Sequence, residues 1–173
     1  MKRLAVSGAL VLAALAAGCG YHVGGHANLL PKTIKIIAIP AFGSAGTHPK
    51  LPVLLTAEVK REFISRTRYN IVSDAGQADA VLSGAVINVV TYPNVLDPVT
   101  NRATGVQVLV ILQITLTDRH TGAVLFTRPA AEFRERYEIA TDPQAYFDEN
   151  DTAMVRLSRD VARSVVTAIL EKF

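Results

Sequence analysis

Cys19 is the only cysteine in the 173 residues, so no disulfide can form within the chain. Long membrane-spanning runs are also missing at the N-terminus. The uncharged, mostly apolar stretch Leu4 to Ala17 has 14 residues, which as a helix at ~1.5 Å each reaches roughly 21 Å, short of the ~30 Å hydrocarbon core. There is no internal repeat, heptad array or low-complexity tract. Nor is there a run or stripe of basic residues, which argues against a nucleic-acid partner. Catalytic signatures are absent as well. No G-x-S-x-G nucleophile motif occurs. The glycine-bearing segment Gly43 to Lys50 lacks the Gly-Lys-Ser/Thr ending of a phosphate loop, because Leu51-Pro52 follows its lysine. The acidic cluster Asp148-Glu149-Asn150-Asp151 has no base near it in sequence and suits the first turns of a helix. Nothing here points to an enzyme.

What is present is concentrated at the start. Lys2 and Arg3, the short apolar run and the small residues Ala16-Ala17-Gly18 describe a secretory signal peptide over residues 1–18. Ala16-Ala17-Gly18-Cys19 resembles a bacterial lipobox, with Leu15 one place earlier than the usual leucine. Cys19 would then become the lipidated first residue of the mature chain, and lipidation removes the liability of a lone thiol in a secreted protein. Two or more acyl chains give stable anchoring at ~0.8 kcal/mol per buried CH₂. Gly20, in place of the aspartate that retains enteric lipoproteins at the inner membrane, favours the outer membrane. The mature chain keeps 16 basic against 15 acidic side chains. Residues 19–31 are glycine-rich and read as a lipidated tether, leaving 32–173 as one domain.

Periodicity sets the expected elements. Thr33 to Ile39 is β-branched and reads as a strand. Leu51, Leu55, Val59 and Phe63 recur every four residues and predict an amphipathic helix from about Pro52 to Thr67. Tyr69 to Val72 reads as a short strand, and Ala80 to Thr91 as a nearly all-apolar, central one. Tyr92 to Gly105, with two prolines, reads as a loop. In Val106 to Thr117 the even positions from Val106 to Leu116 share one apolar face. Gly122 suits a hairpin turn. The return strand from Ala123 to about Tyr137 carries Pro129, which implies a bulge or an edge. Asp142-Pro143 opens a last helix with Leu157, Val161, Val165 and Ile169 on one face. The expected fold is an α+β two-layer sandwich, β-α-β-β-β-α, with a mostly antiparallel four-stranded sheet and two helices on one face.

The other sheet face carries Gln107, Leu109, Ile111 and Gln113, beside Glu132, Arg134 and Arg136 of the return strand. Its centre, with Tyr92 and Val95 nearby, is more apolar than water requires, so it is a candidate partner-facing surface. Arg102 and Arg119 flank the third long run at its two ends, and each can meet a phosphate or carboxylate. Cys19, His22 and His26 have a spacing a metal could use, but a thioether sulfur on a tether argues against it, and no metal or other cofactor is expected beyond the lipid on Cys19.

The chain resembles the LPS-assembly lipoprotein family, LptE. The resemblance rests on Cys19-Gly20-Tyr21-His22-Val23 at the mature start, on the passage Glu58 to Leu82, and on Asp142-Pro143-Gln144 with Asp148 to Asp151 at the last helix. It implies a non-catalytic lipoprotein on the periplasmic face of the outer membrane that plugs the LptD β-barrel, helps it assemble and binds lipopolysaccharide in transit. In that family basic residues are thought to meet lipid A phosphates. Arg102 is the nearest match to one, and Arg119 is the second candidate here. At the place of another the chain has Asp148 and Glu149, a departure from the family pattern. The competing reading is an envelope lipoprotein that regulates a periplasmic cell-wall enzyme through the same scaffold.

Overall fold

In a computed structural model, residues 30–44, 48–99, 101, 103–138 and 143–172 are described, with 143–150 described by their backbone alone. The chain runs β1 (Ile36–Ala38), β2 (Gly43–Ser44), α1 (Lys50–Arg66), β3 (Asn70–Val72), a 3-10 turn (Ala75–Gln77), β4 (Ala80–Leu96), β5 (Ala103–Asp118), β6 (Val124–Glu138) and α2 (Pro143–Leu170). The domain is α+β, with two helices against an open, mixed sheet.

The four-stranded, mostly antiparallel sheet expected from the sequence is corrected to a six-stranded one in the order β3-β1-β4-β5-β6, with β2 beside β4. β1 pairs parallel with both β3 and β4, and β2 pairs parallel with β4. The reason is the α1 crossover. A helix between two strands carries the chain back to the starting end, so β3 can lie only parallel to β1. The long strands β4, β5 and β6 do form an antiparallel meander.

The segment Tyr92 to Gly105 also departs from expectation. β4 continues through Pro93 to Leu96, and β5 begins at Ala103. Pro93 sits opposite Val106, with register shifts just after it. A proline is tolerated there because β4 has lost its second neighbour. β1 and β2 cover it only as far as Val86, and beyond that, among the described residues, β5 alone pairs with it. For the same reason the apolar sequence of β4 is buried at Ala80, Leu82 and Val86 but exposed from Thr91 onward. Pro129 behaves as expected: register slips between Leu112 and Ile114, leaving Pro129 and Ala130 as a bulge on the edge strand β6.

One core lies between sheet and helices. It contains the even positions Val106 to Leu116, Phe126 and Tyr137 of the meander, Leu51, Leu55, Val59 and Phe63 of α1, and Leu157, Val161, Val165 and Ile169 of α2. Thr56 links α1 to the sheet. Its hydroxyl donates to Pro52 O at 2.6 Å and accepts from Phe42 N at 3.0 Å. Pro52 lies in the first turn of α1, where its missing N–H has no intrahelical partner to lose. No helix among the described residues is long and apolar enough to cross a membrane.

Candidate functional site

Alternation along β5 sends the even residues into the core and the odd ones to the open face of the sheet. Three cross-strand rungs build the middle of that open face: Asn88–Ile111–Glu132, Val90–Leu109–Arg134 and Tyr92–Gln107–Arg136. Gln107 is buried at 9% exposure, Leu109 and Ile111 are half-buried, and Gln113 is exposed. All four residues of the expected partner surface therefore lie on one strand and one face. Val90 and Tyr92 extend the apolar row on one side, and the charges of β6 edge it on the other. Arg134 pairs with Glu132 at 2.9 Å, whereas Arg136 has no ion-pair partner among the described residues. The row continues to the hairpin between β4 and β5, where Val95, Leu96 and Val99 are 53%, 52% and 90% exposed.

Of the two candidate lipid-binding arginines, only Arg119 lies among the described residues. Arg102 precedes one end of β5 and lies outside the described residues, as do Cys19, His22 and His26. Arg119 follows the other end, and its guanidinium is turned onto the backbone. It donates to Gly76 O at 2.5 Å and Ala78 O at 3.4 Å, while its amide donates to Asp79 O at 2.8 Å.

Asp79 organises that end. Its carboxylate accepts from Lys35 N at 2.8 Å and Ile36 N at 2.9 Å, and contacts His120 Nε2 at 3.3 Å. The Lys35 amide first, then the Ile36 amide and the His120 ring, hold the Asp79 carboxyl below its ordinary value of 3.8. Asp118 accepts from His120 N at 2.8 Å and Thr121 N at 3.0 Å, and the Thr121 amide chiefly lowers its carboxyl too. Gly122 closes the turn with φ of 72°. Sequence reasoning missed Asp79, because nothing local marks it as the acceptor for amides 43 and 44 residues away.

Residues 34–169 match the model of a family described as "LptE: Lipopolysaccharide-assembly". The chain belongs to this LptE family. No curated protein matches it. Among solved structures, the rare lipoprotein B from Shewanella oneidensis is similar at 16% identity and a TM-score of 0.51, over 77% of this chain and 92% of that one. Lipoprotein B from Nitrosomonas europaea is similar at 13% identity and a TM-score of 0.56, over 87% and 90%. The hypothetical protein CT253 from Chlamydia trachomatis gives 12% and 0.53, over 78% and 94%. At such identities these likenesses establish the fold, and the LptE match establishes the family.

Proposed function

We propose that this protein is an outer-membrane lipoprotein, held at the periplasmic face by acyl chains on Cys19, that inserts into an LptD-type β-barrel, helps it assemble and binds lipopolysaccharide on its way to the surface. Family membership over residues 34–169 carries the reading. The open sheet face supports it. Leu109 and Ile111, with Val90 beside them, give an apolar strip edged by Arg134 and Arg136, and such a strip suits the inside of a barrel better than bulk water. The role is non-catalytic.

The test is co-purification. The native chain extracted in mild detergent should bring an outer-membrane β-barrel with it, and the Cys19 peptide should carry acyl groups by mass spectrometry. Charged substitutions at Leu109 and Ile111 should release the barrel while the domain stays folded. A chain recovered alone from membranes that contain the barrel would overturn the barrel assignment. A Cys19 peptide free of lipid would overturn the anchor.

A further inference from the structure

The end of the sheet that Asp79 organises is also the end where the described chain enters and both helices finish. Arg68 stands before β3, Lys32 and Lys35 before β1, and Arg119 and His120 after β5, following the order of strands across the sheet. Backbone bonds tie these segments side by side. Asn70 N donates to Lys35 O at 2.9 Å, Asp79 N to Ile36 O at 2.9 Å, and Arg119 N to Asp79 O at 2.8 Å. Lys172, just beyond α2, donates to Leu125 O near the start of β6 at 2.6 Å. We propose that this end rests against the anionic phospholipid headgroups of the bilayer that holds the lipid anchor, drawn there by Lys32, Lys35 and Arg68.

All three residues are exposed, and none of their side chains has a partner among the described residues. The acids of this end are largely offset. Asp118 is buried and Asp79 half-buried, and both accept from backbone amides. Asp74 accepts from Gly76 N. Glu171 is exposed, with no side-chain partner among the described residues. It and the two helix carbonyl ends, about half a charge each, oppose an anionic surface but do not cancel three free cations. Cations within a Debye length of an anionic leaflet, ~8 Å at physiological salt, are attracted to it, and those farther away are screened. Ile64, in the last turn of α1, and Val124, at the start of β6, are 62% and 57% exposed and add apolar atoms of the kind that sit at headgroup depth. Leu30 follows Cys19 by 11 residues, a reach of at most roughly 40 Å. A tether of that length keeps the domain at the surface without orienting it, so orientation falls to the charges. The presence of the bilayer rests on the Cys19 anchor proposed above. The cationic end itself does not.

The test uses the full chain, with the Cys19 peptide first weighed by mass spectrometry. Once Cys19 is acylated, Thr121→Cys and Val99→Cys each supply a single free thiol for a fluorophore, one on the hairpin after β5 and one at the opposite end of the sheet. The labelled protein is reconstituted in vesicles of equal parts phosphatidylcholine and phosphatidylglycerol that carry a headgroup-nitroxide lipid, and in the same vesicles without phosphatidylglycerol. Quenching in the anionic vesicles should be at least several-fold greater at position 121 than at 99, and the difference should shrink without phosphatidylglycerol and at high salt. Lys32→Gln, Lys35→Gln and Arg68→Gln together should lower the quenching at 121 several-fold, and Ile64→Ser by a smaller factor. Lys50→Gln, which gives up only an exposed pair with Asp151 at the opposite end, should change nothing. Unfolding curves establish that each variant is folded, and each cation is also changed singly in case the triple variant does not fold. An acylated chain quenched equally at the two positions overturns the inference and leaves the proposed function standing, and so does a difference that the three changes leave untouched. An unacylated chain that floats with the anionic vesicles, and loses roughly 10- to 100-fold in binding on the triple change, supports the cationic end and overturns the anchor. An unacylated chain that binds neither vesicle overturns both.

Discussion

The two ends of the sheet are built differently. At the near end β4 is central, with β1 and β2 on one side and β5 on the other, and Ala80, Leu82 and Val86 are buried. Side chains there close hydrogen bonds between distant segments, as Asp79 does for Lys35 and Ile36 and Arg119 does for Gly76 and Ala78. At the far end the same strand is an edge, and Val90, Tyr92, Val95 and Leu96 face outward. The near end is finished by the chain itself. Among the described residues, the far end leaves the uncharged end of β4 and the side chains of Val95, Leu96 and Val99 uncovered, an arrangement that single chains usually blunt with charge. Under the function proposed above this is a division of labour: one end holds the fold, and the other is the end offered to a partner.

The largest expected effect tests this split directly. Leu112 is fully buried where β5 is central, and Leu96 is about half exposed near the hairpin. Leu112→Ala should cost about 2–5 kcal/mol in urea unfolding, and Leu96→Ala within about 0.5 kcal/mol. Equal losses would mean that the far end is part of the core.

Two glycines give the next contrast. A Cβ on Gly84 would stand 2.7 Å from Cε2 of Phe42, a buried ring that must move as a whole. Gly84→Ala should therefore cost about 1–3 kcal/mol. On Gly105 the nearest atom is the end of the exposed Asn94 side chain. Its relief, together with the entropy that alanine removes from the unfolded chain, should bring Gly105→Ala to within about 1 kcal/mol of the wild type. Thermal unfolding measures both.

Smaller again is the pH dependence of the near end. The folded Asp79 carboxyl lies below its ordinary value of 3.8, so its contribution is present above that pH and is lost as pH falls through the folded value. Asp79→Asn keeps an oxygen for the Lys35 and Ile36 amides and removes the charge. Its deficit in urea midpoint should be visible at neutral pH and should close below 3.8. A deficit independent of pH would mean that shape rather than charge matters there.

Periodicity made most of the elements legible. Both helices and the core face of β5 follow from spacing alone, since Leu51 to Phe63 and Val106 to Leu116 are pure period-four and period-two patterns. Strand pairing is not written in periodicity. Ile36 to Ala38 and Asn70 to Val72 carry the same β-branched signal whether they lie parallel or antiparallel, and only the α1 crossover decides. Prolines in Tyr92 to Gly105 suggested a loop, but an edge strand accommodates them equally well. The open-face residues of β5 could be found by parity. The contact of Arg156 with Glu135 could not, because α2 joins β6 only through tertiary packing, with no sequence spacing between the two to read.

The smallest stability effect carries the most functional meaning. Leu109 lies mid-sheet between Val90 and Arg134, half-buried by its strand neighbours and with no helix above it among the described residues. Leu109→Thr keeps a good β-former and gives up apolar area that the isolated domain uses only in part, so the urea midpoint should move by less than about 1 kcal/mol. If a barrel wall covers this face, the same change removes a fully desolvated contact in the assembly, and interface centres of that kind lose 1 kcal/mol or more. The ratio of barrel to this chain after detergent extraction should then fall far more than the fold is weakened. A loss of 2 kcal/mol or more in the isolated domain would reverse the argument, because the strip would then be serving the chain's own core.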